Sequence, residues 1–232
     1  MTKQNDNTSL LFYARVVGCL YMFIIIIGVL NGIFIDSNLI VSGNDSVTVN
    51  NILANELLFR VGILSILVMY AGVVILSWAL YVLLKKVNRN LALLALLFRS
   101  GEAILGAATM VISFIILLLI NGEADTEVLE TGKLDNLVGA FLNVRTAGLD
   151  IVLLFVGLGG TIFCYLFLIS MYVPKILAFW GIFTYLSMIV LALISILFPN
   201  HPAMLEIVLY SLGGLFELVF GFWLLIKGVK LN

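Results

Sequence analysis

The sequence predicts an all-α fold, a polytopic membrane helical bundle with six transmembrane helices in a single membrane-embedded domain, 1–232. Three observations predict it. The 232 residues are 63% hydrophobic and only 11% charged, whereas a soluble domain carries about 25% charged residues. Mean hydropathy is +1.22. The apolar residues also fall in runs long enough to cross a hydrocarbon core of ~30 Å, which takes about 20 helical residues. Backbone N–H and C=O groups find no water partner in lipid, so a span is a helix or part of a closed barrel. Runs such as FIIII at 23–27 and LALLALL at 91–97 lack the period of two that a barrel strand needs.

The expected spans lie near 11–35, 55–84, 91–120, 140–172, 176–198 and 203–227. The first is read as a retained span, because its apolar run exceeds a signal-peptide core and no A-x-A pattern closes it. Pro174 helps to end the fourth span, since proline cannot continue helical hydrogen bonding. The connectors at 36–54 and 121–139 are read as solvated, the first extended and the second with room for a short interfacial helix. The triplet NDS at 44–46 matches a glycosylation sequon, relevant only in a eukaryotic secretory pathway.

Charge sets the expected orientation. Lys3, Lys85, Lys86, Arg89, Lys175, Lys227 and Lys230 all fall in one set of segments, together with both termini. The other set carries Asp36, Asp45 and five carboxylates between 121 and 139 against Lys133 alone. By the positive-inside rule the basic side, and both termini, are cytoplasmic. The net charge of −1 leaves no basic excess for nucleic acid. Cys19 and Cys164 sit inside apolar runs and are expected to be buried small hydrophobes, neither a disulfide nor a metal site.

Ionisable residues inside the spans are the candidates for function. LLFRVG at 57–62 and LLFRSG at 96–101 are nearly one hexapeptide, and Arg15 and Arg145 share its setting, each followed three residues later by glycine. Helical side chains lean toward the helix N-terminus, so an arginine near the start of a span reaches back to the interface. Arg15, Arg60 and Arg145 are read in that way. Arg99 lies deeper and needs another explanation.

Partners follow from spacing. Glu56 and Arg60 are i, i+4, and Arg99 and Glu102 are i, i+3, so each pair shares a helix face. Asp150 does not face Arg145 and requires a partner on another span. In the last span Glu206 and Glu217 are eleven residues apart, which at 100° per residue returns within about 20° of one face. Tyr210, Gly213 and Gly221 lie on or near that stripe, which is expected to face the bundle. Arg99, Glu102 and Glu217 also lie at similar depth from the basic side. They form the candidate inner polar cluster, read as a helix-locking salt bridge or as a ligand or proton site. Glu56, Arg60, Arg145, Asp150 and Glu206 form a candidate outer cluster, open to the outer loops.

Several segments carry a family resemblance. They are ARVVGCLYM at 14–22, LFRVG at 58–62, LYVLLKKVNRNLALLALLFRSGEAILGA at 80–107, SMYVPKILAFWGIFTY at 170–185 and HPAMLEIVLYSLGGLFELVFGFWLLIKG at 201–228. In this order they resemble a bacterial integral-membrane family, domain of unknown function family 4386 (DUF4386). The segment at 80–107 is the most specific, and Ser100 departs from the bulkier apolar residue expected after FR. The resemblance implies a multi-pass protein of the bacterial cytoplasmic membrane. It supplies no activity and no catalytic residues.

The chemistry of common intramembrane enzymes is missing from the sequence. His201 is the only histidine and is read as a surface residue of an outer loop. No HExxH, GxSxG or GxxxxGK[ST] motif is present. GLGG at 157–160 falls within an apolar run and is read as a helix-packing surface. Neither a catalytic set nor a cofactor or metal site is expected. The leading expectation is a non-enzymatic bundle that binds a small apolar or lipid-like ligand, or assists another membrane protein. The alternatives are a small transporter or channel using the buried Arg and Glu clusters, and then an intramembrane enzyme.

Overall fold

The computed structural model describes residues 2–122, 131–198 and 201–230, and all of their regular structure is helical. The long helices are α1 (Thr2–Asn31), α3 (Glu56–Leu84), α4 (Arg89–Ile120), α5 (Thr131–Ser170), α6 (Lys175–Leu197) and α7 (Ala203–Ile226), and a shorter α2 spans Asp45–Ala54. Six of them are long and apolar enough to cross a membrane.

Each span packs against its neighbours in sequence, and α7 closes the bundle against α1. The short connectors at 85–88, 171–174 and 198–202 make the helices they join antiparallel neighbours. The basic end gathers both chain ends. The Lys230 N–H donates to the Tyr172 carbonyl at 2.9 Å, and Val87, Val173 and Val229 share one core with Ala14 and Val17. At the opposite end Ile35, Leu39, Val49, Ile52, Phe59, Ile116 and Val138 form a second core.

Two connectors differ from expectation. The segment at 36–54 is not extended. The α1 helix continues through a π-turn, Gly32–Asp36, and a further turn at Ser37–Leu39. Carbonyls loosened by the π-turn are taken up locally: the Ser37 hydroxyl donates to Ile33 O at 2.5 Å and the Asn38 amide to Phe34 O at 2.9 Å. The α2 helix then starts where the Asn44 side chain accepts from Val47 N at 3.1 Å. Its Thr48, Val49 and Ile52 are buried.

The helix of the fourth span already runs from Thr131 among the described residues, and the apolar span from Lys133, rather than from near 140. Packing on α2 explains the added turns. Val138 is fully buried in the outer core beside Val49 and Ile52, and the Ser46 hydroxyl bonds the Asp135 carboxylate. Arg145 therefore lies well inside its helix and not a turn or two from its start. The acidic stretch at 123–130 lies outside the described residues.

Close helix approach rests on glycine at one crossing above all. A Cβ on Gly18 of α1 would stand 2.6 Å from the Gly221 carbonyl of α7. Only glycine lets these backbones meet there. Cys164 is buried as expected, whereas Cys19 is exposed on the surface of α1; both are free thiols.

Candidate functional site

The inner cluster occupies the basic half of the bundle. Arg99 of α4 is 3% exposed and Glu102 is 5% exposed, and Arg99 Nη1 lies 2.8 Å from Glu102 Oε2. The N–H is not aimed at that oxygen, which has no directed hydrogen bond, so the contact is an ion pair rather than a bonded fork. The α5 helix makes room for it. A Cβ on Gly159 would stand 2.7 Å from Arg99 Cγ. GLGG is thus a notch: Gly159 takes the Arg99 stem, and Gly160 takes the face of the Tyr185 ring.

Glu217 of α7 is half-buried and belongs to the same layer. Its partner is not Arg99. The Tyr185 hydroxyl of α6 donates to Glu217 Oε1 at 2.8 Å, and Tyr21 Oη of α1 lies 3.4 Å from Tyr185 Oη. Tyrosine was the residue missed by sequence reasoning, which matched charge with charge. The signal was available in the polar atom that a buried tyrosine must satisfy. Aromatic rings seal the layer: Phe167, Phe216 and Phe220 pack edge-to-face or stacked at 5.1–5.3 Å, and Tyr185 meets Phe216 edge-on at 5.7 Å.

The outer candidates do not form one cluster. Glu56 and Arg60 pair with each other at 2.6 Å on the exposed edge of α3. Arg145 Nη2 lies 3.6 Å from Asp36 Oδ1, at the π-turn of α1. Asp36 was assigned to a loop in the sequence; the π-turn carries it onto the bundle wall.

Asp150 and Glu206 belong to a third group, and here the structure corrects the reading of His201. The imidazole is 8% exposed by side chain, and its Nε2 lies 2.9 Å from Glu206 Oε1. Nδ1 faces the Phe198 carbonyl at 3.0 Å. Ser195 Oγ of α6 stands 3.4 Å from Nε2. Asp150 shares its cleft with Ser195, His201 and Glu206.

These groups line a cleft of ≈ 570 Å³ between α5, α6 and the start of α7. Asn143 and Thr146 add polar groups to its wall, and Ala147, Ile151 and Ile196 add apolar surface. The volume falls in the ordinary range for small-molecule sites. At this end α7 is loosely packed: none of residues 204–212 is buried. Tyr210 is 44% exposed and Ile207 62% exposed, whereas Phe216 and Phe220 at the other end are buried. The stripe on α7 therefore faces the bundle only along its inner half. Among the described residues no group of His, Cys, Asp and Glu has the geometry to hold a metal ion.

Neither the curated proteins nor the solved structures contain a significant match to the chain. A family profile described as "Domain of unknown function (DUF4386)" matches residues 16–228. With nearly the whole bundle covered, from the first span to the end of α7, the chain belongs to the DUF4386 family.

Proposed function

We propose that this protein is a non-enzymatic membrane bundle that binds a small amphiphilic, lipid-like molecule with a cationic head in the outer cleft. The observation that carries the reading is the wall of that cleft. Two carboxylates, Asp150 and Glu206, share it with a single histidine. Their charge favours a cation, and the Ile151 and Ile196 side chains, both exposed on their helices, favour an apolar tail reaching the bilayer. The inner cluster, by contrast, is filled by its own side chains and is read as a lock between helices.

The setting proposed is the bacterial cytoplasmic membrane, with lipid around the bundle and both termini in the cytoplasm. One-sided placement of Lys85, Lys86, Arg89, Lys175, Lys227 and Lys230 supports that orientation. The cleft then opens toward the outer leaflet.

The test is a thermal-unfolding series on purified protein with three ligands of one chain length, an alkylamine, an alkanol and an alkanoate, below their micellar concentrations. The amine should raise the midpoint more than the other two. An equal response to all three, or none, would refute the reading. Native mass spectrometry of gently extracted protein should show a retained adduct of basic character.

A further inference from the structure

A second cavity lies elsewhere in the outer half, between α1, α3, α4 and α5. It is narrow, with a volume of ≈ 10 Å³, the size that one water molecule fills. Asn31, Asp36, Gly62, Ser113 and Arg145 contribute to its wall, beside apolar groups such as Met110.

Two polar atoms on that wall are buried without any partner: Ser113 Oγ and Arg145 Nε. Ser113 is 1% exposed. A serine or threonine inside a helix ordinarily returns its hydroxyl to a carbonyl of the preceding turn. Several here do so: Ser77 to Val73 O at 2.6 Å, Thr109 to Gly106 O at 2.6 Å and Thr146 to Leu142 O at 3.1 Å. Ser113 does not, although its own helix offers the same acceptors. Arg145 sends Nη2 to Asp36 at 3.6 Å and leaves Nε buried without a partner.

We propose that this cavity is a binding site for one ordered water, which bridges Ser113 of α4 to Arg145 of α5. The water accepts from the Arg145 Nε–H and shares a hydrogen bond with the Ser113 hydroxyl. The Asp36 carboxylate on the same wall is a third partner, and two to four partners are what a buried water needs. An ion fits worse. The guanidinium repels a cation, the Asp36 carboxylate repels an anion, and the volume leaves no space for a hydration shell. The bound water ties together helices that meet here through polar groups, and it completes the hydrogen bonding of an arginine otherwise held by one long ion pair. The inference is independent of the ligand proposed for the cleft between α5, α6 and α7.

Ser113→Ala in lipid nanodiscs separates the two possibilities. With a bridging water, the variant loses a satisfied hydroxyl and strands the water, so the thermal midpoint falls by about 2–5 °C. With an empty cavity, the variant removes an orphan hydroxyl, and the midpoint stays or rises; that result overturns the proposal. A cryo-EM map of the unmodified protein that resolves ordered water gives a second reading and needs no variant. Density within about 3.2 Å of both Ser113 Oγ and Arg145 Nε supports the site, and an empty cavity or a direct Ser113–Arg145 contact overturns it.

Discussion

The two halves of this bundle treat charge in opposite ways. In the basic half, Arg99, Glu102, Glu217, Tyr185 and Tyr21 lie in a layer closed by Phe216 and Phe220, with glycine notches cut to receive them. In the outer half, Asp150, Glu206 and His201 stand around a cleft of ≈ 570 Å³. The difference has one structural origin. Gly18 and Gly221 draw α7 tightly onto α1 at the basic end, and toward its start, over residues 204–212, α7 buries no residue. Where the helices converge, a charge can only be matched by the protein itself. Where they pack loosely, it is left to a ligand or to water. On the reading proposed above, closed charge fixes helix position and open charge serves recognition.

The strongest way to break this comparison is at Arg99. If the inner pair is a lock, Arg99→Ala leaves Glu102 buried without its cation, and stability should fall by about 3–5 kcal/mol, read from thermal or denaturant unfolding in micelles. The Arg99→Met, Glu102→Leu double variant should recover most of that loss, because an apolar pair of similar volume needs no partner. A double variant as unstable as the single one would show that the pair is doing something other than neutralising each other.

Next in size is Tyr185→Phe. It removes the hydroxyl that donates to Glu217 at 2.8 Å, and a hydrogen bond to a charged group contributes about 1.5–3 kcal/mol. The same unfolding measurement checks it, and a change near zero would mean that water replaces the hydroxyl. Gly160→Ala sharpens the packing side of the argument. Its Cβ would enter the Tyr185 ring, so the expected cost is about 1–3 kcal/mol of overpacking. Gly214 gives the control. Nothing lies within 4 Å of a Cβ there, so Gly214→Ala should be neutral or stabilising by up to about 1 kcal/mol, the helix-propensity gain alone.

How far the sequence could be read follows the same division. Span number, helix type and the burial of Arg99 with Glu102 were legible, because hydropathy and i, i+3 spacing are local properties. The glycine run at 157–160 was legible as a packing surface, but not the side chains it receives, since those come from α4 and α6. Glu217 was placed at the right depth and given the wrong partner: depth is set by position along the helix, whereas rotation against Tyr185 is set by the whole ring. His201 was misread because a loop histidine between prolines looks exposed, and only the fold brings Glu206 and Ser195 to it. Polar starts defeated the boundaries of α2 and α5. Each is held in helix by the other, through Val49, Ile52, Val138 and the Ser46–Asp135 bond, and no window along one segment contains that contact.

The smallest expected effect on stability is the most informative about function. Glu206 is 45% exposed by side chain, and among the described residues its close polar contact is the His201 imidazole at 2.9 Å. Partly exposed pairs of this kind contribute about 0–1 kcal/mol. Glu206→Gln should therefore unfold within about 0.5 kcal/mol of the unmodified protein, keeping the shape of the cleft while removing one of its two negative charges. Asp150→Asn removes the other and retains a polar side chain of the same size. If the cleft recognises a cationic head, each variant should weaken the thermal shift given by an alkylamine, and the pair together should abolish it, while the smaller response to an alkanol is unchanged. That split, lost selectivity at constant stability, is what an open charge predicts. A large loss of stability from Glu206→Gln would place Glu206 in the same class as Glu102. The outer group would then be a second lock between helices, and the two halves of the bundle would differ in packing but not in purpose.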